Sequence, residues 1–144
     1  MTQLDLLVIR ARDPEALARF YTLLGVTFKE EQHGSGPKHF ACDLGGSVLE
    51  IYPLVREQQR TTATRLGFRV SSLRHVLDAV SAFGAQHVLR DAEATESGQR
   101  AVVVDPEGHE IHLVEVAPGW RDGIEESELA TAKGSGSRPP QKRK

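Results

Sequence analysis

One cysteine, one methionine and one tryptophan stand in a chain of 144 residues, and aromatic side chains make up only 6% of it. A lone Cys42 cannot form an internal disulfide, so a cystine-stapled scaffold is excluded and a reducing, cytoplasmic setting is expected. No apolar run approaches the roughly 18 residues needed to span a bilayer. The first residues, Met1-Thr2-Gln3-Leu4-Asp5, carry neither the basic region nor the apolar stretch of a secretion signal. No membrane partner is therefore expected. Charge of one sign is also missing: the net is −2, which makes no electrostatic case for nucleic acid. There is no CxxC pair, no phosphate-cradling glycine loop and no nucleophile elbow.

The charge that is present is unevenly placed. Residues 1–117 hold 12 Lys/Arg against 16 Asp/Glu, and residues 118–144 hold 6 against 4. The latter segment opens with Pro118-Gly119 and contains Trp120. It passes an acidic stretch (Asp122, Glu125, Glu126, Glu128) and ends in Gly134-Ser-Gly-Ser-Arg-Pro-Pro-Gln-Lys-Arg-Lys144. From Gly134 onward nothing is apolar, and a disordered, solubilising tail is expected. The reading is one domain over 1–117 and a C-terminal extension over 118–144, disordered from about 134.

Within 1–117 a pattern occurs twice. Ile9–Asp13 lies over Phe68–Ser72 at a shift of 59 residues, which also puts Gly25 on Gly84. Asp43–Ile51 lies over Asp105–Leu113 at a shift of 62, which puts Gly46 on Gly108 and Leu49 on Ile111. Two modules, 4–55 and 64–116, each read strand, helix, then three strands. In the first, Leu4–Ala11 alternates as a strand. Asp13 suits an N-cap, with Pro14 at the first helical position. Leu17, Phe20, Tyr21 and Leu24 form one helix face, and Gly25 stops it. Strands follow over 27–32, 38–44 and 47–52. In the second, strand 65–70 precedes a cap at Ser71 or Ser72. Leu73, Val76, Leu77, Val80 and Phe83 form a helix face that ends at Gly84. Strands are expected over 86–90, 100–104 and 110–116. The polar stretch 56–64 joins the modules.

The pairing of two βαβββ modules resembles the vicinal oxygen chelate superfamily, which includes glyoxalase I, bleomycin resistance proteins and extradiol dioxygenases. The resemblance rests on Ile9-Arg-Ala-Arg-Asp-Pro-Glu-Ala-Leu-Ala-Arg-Phe-Tyr21, on Leu23-Leu-Gly25 and on Asp105-Pro-Glu-Gly-His-Glu-Ile-His-Leu113, and it covers residues 4–116. It implies an α+β fold: a cupped mixed sheet with helices outside and a ligand cavity inside. It also implies a homodimer. The functional expectation is a small-molecule binding protein of the glyoxalase and bleomycin-resistance type. The alternative is an enzyme of the same superfamily, a lyase, isomerase or dioxygenase.

Strand alternation selects the side chains that face the cavity. Leu49 and Ile51 suit the helix side, leaving Glu50 and Tyr52 on the other. Ile111 and Leu113 suit the helix side, leaving His112. The same parity turns Leu6, Arg65 and Arg69 inward. In metal-binding relatives the four matching strand positions carry His, Gln or Glu ligands; here they hold Leu6, Glu50, Arg65 and His112. Leu6 has no donor atom, and Arg65 stays protonated and repels a cation. No catalytic metal or other cofactor is expected; if a divalent ion is held, its donors here are Glu50 and His112. Two roles remain open for Arg65. It bridges Glu50 as a counter-charge with His112 hydrogen-bonded beside them, or it holds an anionic small-molecule ligand while Glu50 or His112 moves a proton. Cys42 reads as a buried, inert thiol. His33 and His39 read as solvated residues around the Gly34–Pro37 turn that could line a cavity mouth. His75 and His87 read as surface residues, and His109 as a turn residue.

Overall fold

The start of the first helix is set by one side chain. Asp13 accepts a hydrogen bond from the Ala16 backbone N–H at 3.0 Å, and Pro14 supplies the fixed φ of a first helical turn. In a computed structural model that describes residues 1–119, this helix, α1 (Pro14–Thr22), follows strand β1 (Leu6–Ala11). Strands β2 (Lys29–Glu31), β3 (His39–Asp43) and β4 (Val48–Pro53) complete the first module. The second repeats it as β5 (Leu66–Arg69), α2 (Leu73–Phe83), β6 (Val88–Thr95), β7 (Gly98–Val104) and β8 (Glu110–Val116). Ser72 caps α2 by accepting from the His75 N–H. Short 3-10 turns at Glu57–Gln59 and Ala85–His87 lie in the linker and after α2. The expectation of a tail disordered from about 134 falls outside the described residues.

Each module forms its own four-stranded sheet, ordered β1-β4-β3-β2 and β5-β8-β7-β6. The order is the same in both, with the first and last strands of each module parallel and the remaining pairs antiparallel. The α+β class and the paired βαβββ modules read from the repeat are therefore those of the molecule. Gly46 and Gly108, aligned by the repeat, both turn at positive φ (138° and 110°) before the last strand of their modules. One strand is longer than the apolar pattern suggests. β6 runs to Thr95 because its polar residues, Arg90, Asp91 and Glu93, are exposed along an edge that pairs with β7 alone.

A shared core holds the modules together. Ile9, Leu17, Phe20, Tyr21, Leu49 and Ile51 from the first pack in one cluster with Leu73, Leu77, Val80, Ile111 and Leu113 from the second. Fully burying a side chain of this size is worth about 1.5–3 kcal/mol. The aromatic pair of α1 reaches across the boundary. Phe20 meets Phe83 edge-on at 5.4 Å and Tyr21 meets Phe68 at 6.0 Å. Because the helix-side faces of both sheets are spent on this core, the opposite faces stay accessible. No helix among the described residues is long and apolar enough to cross a membrane.

Candidate functional site

The open face of the first sheet follows from register. Glu50 on β4 lies beside Val8 and Ala41, and Tyr52 lies beside Arg10, so these side chains share one side. On that side Tyr52 stacks flat against His39, with ring centroids 4.3 Å apart and planes 9° apart. The Arg10 guanidinium sits 5.3 Å from the Tyr52 centroid, within cation–π range. Burial, followed by the neighbouring Glu50 carboxylate, pushes the Tyr52 phenol above its ordinary pKa. Glu50 is half-buried and makes no ion pair among the described residues. Leu6, at the start of the same face, is 47% exposed and offers only apolar contact.

The open face of the second sheet is cationic. Gly67, His112, Val102 and Arg90 form one cross-strand row, and Arg69, Val114, Arg100 and Glu93 form the next. A cleft of about 280 Å³ there is lined by Arg90, Arg100, Val102, His112 and Val114, with Asp91 and Glu93 at its acidic side. Arg100 is neutralised by Glu93, whereas Arg90 and Arg69 make no ion pair among the described residues. His112 Nε2 is shielded from solvent without a hydrogen-bond partner; Glu110 Oε1 lies 3.4 Å away.

The six residues singled out by parity divide into two groups: Leu6, Glu50 and Tyr52 on the first sheet, and Arg65, Arg69 and His112 on the second. Arg65 does not bridge Glu50 within the chain. It pairs with Glu110 at 3.5 Å. Glu110 lies on β8, the strand hydrogen-bonded to β5, whereas Glu50 belongs to the other sheet. Of the four strand positions that carry metal ligands in relatives, two offer donor atoms: Leu6 has none, Arg65 is a cation paired with Glu110, and Glu50 and His112 lie on different sheets.

Three histidines are less exposed than the sequence suggests. His39 is 1% exposed, because the Tyr52 and His33 rings lie against it. His87 Nδ1 donates to the Val104 carbonyl oxygen, 2.7 Å away, and the ring packs on Phe20 and Phe83. His109 is wholly buried, with Nδ1 2.9 Å from Asp105 Oδ2 and Nε2 2.7 Å from the Thr61 hydroxyl. Cys42 is buried as expected, and that burial pushes its thiol pKa up, away from reactivity. A further group does not stand out in the sequence because its members flank a turn: Glu31, His33 and His39 place three donor atoms within 4.8 Å of one another. The signal that could have found it is Glu-x-His at the end of one hairpin strand with a His opening the next.

A family model for a glyoxalase-like domain matches residues 6–114. No curated protein matches the chain significantly. Among solved structures, TnmS3, an antibiotic binding protein from Streptomyces sp. CB03234, is 18% identical with a TM-score of 0.65, over 81% of this chain and 98% of that one. A glyoxalase/bleomycin resistance protein from the same Streptomyces is 19% identical with a TM-score of 0.61, over 77% of this chain and 98% of that one. A glyoxalase-related enzyme from Fulvimarina pelagi is 24% identical with a TM-score of 0.58, over 80% of this chain and 88% of that one. At these identities the likeness is one of fold.

Proposed function

We propose a binding function for this chain, which belongs to the glyoxalase-like domain family of the vicinal oxygen chelate superfamily: it holds a small organic anion against the open face of its second sheet. The observation that carries this reading is the cleft lined by Arg90, Arg100 and His112, whose apolar floor, Val102 and Val114, suits a hydrocarbon body. An arginine that lacks a carboxylate partner, Arg90, is a ready counter-charge for a carboxylate or phosphate. Arg69, at the end of β5, extends the cationic field. That TnmS3 binds an antibiotic supports a small-molecule role.

The ligand is enclosed when a second copy of the chain covers the face. The first sheet presents Glu31, Asp43 and Glu50 together with Arg10 and Lys29, and the second presents Arg69 and Arg90, without a carboxylate partner among the described residues, beside the ion-paired Arg65 and Arg100. The unpaired arginines of one copy can meet the carboxylates of the other across a two-fold axis. Exposed Leu6 and Val114 supply apolar contacts. Such a dimer would work in the cytoplasm, where Cys42 stays reduced. The competing reading is an acid–base enzyme using Glu50 and His112, the titratable pair carried on the two open faces.

The test is calorimetry with matched pairs of small carboxylates, phosphates and their neutral amides or alcohols. Anions should bind and their neutral partners should not. Arg90→Ala should weaken binding by about tenfold or more while leaving the fold intact. Equal binding of charged and neutral partners overturns the assignment, as does Arg90→Ala with parental affinity. Light scattering should report twice the chain mass, and a monomer at all concentrations ends the dimer. Recovery of the ligand unchanged after prolonged incubation favours binding over catalysis.

A further inference from the structure

Glu31 closes β2, His33 lies two residues on, and His39 opens β3 directly across from Glu31. We propose that this hairpin corner binds one divalent transition-metal ion of the zinc or nickel class, held by the Glu31 carboxylate and the Nε2 atoms of His33 and His39. The site is on the first sheet and none of the strand positions used by metal-binding relatives takes part. It stands independently of the anion cleft.

Distance comes first. Glu31 Oε2 lies 3.5 Å from His33 Nε2 and 3.5 Å from His39 Nε2. A tetrahedral ion with bonds of about 2.0–2.1 Å separates its ligand atoms by about 3.4 Å. The carboxylate already stands at nearly that spacing from each imidazole, and the three donor atoms lie within 4.8 Å of one another.

The chemistry of His39 points the same way. Its Nδ1 lies 3.2 Å from the Pro37 carbonyl oxygen, which can only accept, so Nδ1 carries the proton. In the neutral ring Nε2 is then a bare lone pair. That atom is buried and has no hydrogen-bond partner, and it faces a carboxylate oxygen. A buried acceptor turned toward a half-exposed carboxylate is unfavourable alone, and a cation between them removes the conflict. The Pro37 carbonyl is the second-shell acceptor that metal-bound imidazoles commonly have. The flat stack on Tyr52 holds the ring plane. Two imidazoles and one carboxylate suit zinc or nickel rather than calcium or magnesium. His33 is exposed, which gives the ion an entry path and leaves a fourth position for water or a small ligand.

The full chain, stripped with chelator, is titrated with Zn²⁺ by calorimetry and with Co²⁺ by visible absorption. One ion per chain is expected, at micromolar affinity or tighter, with the intense bands of low-coordinate Co²⁺ rather than the pale six-coordinate spectrum. His33→Ala, at an exposed position, should keep the native circular dichroism and lose about tenfold or more in affinity. Glu31→Gln should do likewise. The double variant Glu50→Gln/His112→Ala should bind zinc as the parent does. Absence of stoichiometric binding overturns the proposal. So does parental affinity in His33→Ala, or loss of binding in the Glu50/His112 double variant, which would move the ion to the family's strand positions.

Discussion

The Tyr21 hydroxyl donates to Asp105 Oδ2 at 3.0 Å, joining a helix of the first module to a turn of the second, 84 residues away. Both side chains are out of water. Asp105 is a hub: Oδ1 accepts from the backbone N–H groups of Glu107, Gly108 and His109, and Oδ2 also meets His109 Nδ1. His109 in turn reaches the Thr61 hydroxyl, which accepts from the Arg10 N–H. A buried charge so surrounded ties β1, α1, the linker and the β7–β8 turn into one polar network inside the shared core.

Tyr21→Phe removes one donor to a charged acceptor without changing the packing of the ring. The expected cost is about 1.5–3 kcal/mol. Urea denaturation should show a lower midpoint with an unchanged slope. An unchanged midpoint would mean that the modules are held by apolar contact alone.

The same tyrosine makes a pH prediction. Burial first, and then the Asp105 charge, raise the Tyr21 pKa far above its ordinary value. A raised folded-state pKa contributes stability that is fully present below the unfolded value of about 10 and is lost as pH rises beyond it. Above about pH 10 the unfolded chain releases this proton and the folded chain keeps it. Stability should therefore fall there by up to about 1.4 kcal/mol per pH unit from this group. Tyr21→Phe should flatten the alkaline slope; Tyr52 and Cys42, raised in the same direction, keep it from vanishing.

Gly98→Ala tests the β6–β7 hairpin. Gly98 has φ +152°, and a Cβ there would meet the Glu115 carbonyl oxygen at 2.0 Å and the Ala117 nitrogen at 2.9 Å. Backbone must move, and a loss of about 2–3 kcal/mol is expected in thermal or urea unfolding.

Gly67→Val should behave in the opposite way. A Cβ at Gly67 meets nothing within 4 Å, and the residue lies beside His112 in the cross-strand row of the open face. The substitution should leave stability unchanged or raise it by about 0.5 kcal/mol, since glycine weakens a strand interior. It should weaken binding of the small anion by filling the space next to His112. Parental affinity in a well-folded Gly67→Val would confine the ligand to the side of His112 that faces β7 and β6.

Local pattern alone determined the elements of this protein. The Asp13-Pro14 start, the Leu17, Phe20, Tyr21 and Leu24 stripe, and the doubled glycines at Gly46 and Gly108 act through contacts a few residues apart, so they were legible without a fold. Alternation also assigned Glu50, Tyr52, Arg65, Arg69 and His112 to faces away from the helices, because a strand's period is local. Parity says which way a side chain points, but it does not say what stands opposite. Tertiary structure alone decided that Arg65 answers to Glu110, since that depends on which strands share a sheet. It alone brought Glu31, His33 and His39 to one corner, through the β2–β3 register. It also turned His109 from a turn residue into the buried partner of Asp105, because a carboxylate taken from water 84 residues from Tyr21 needs every donor that the packing can bring to it.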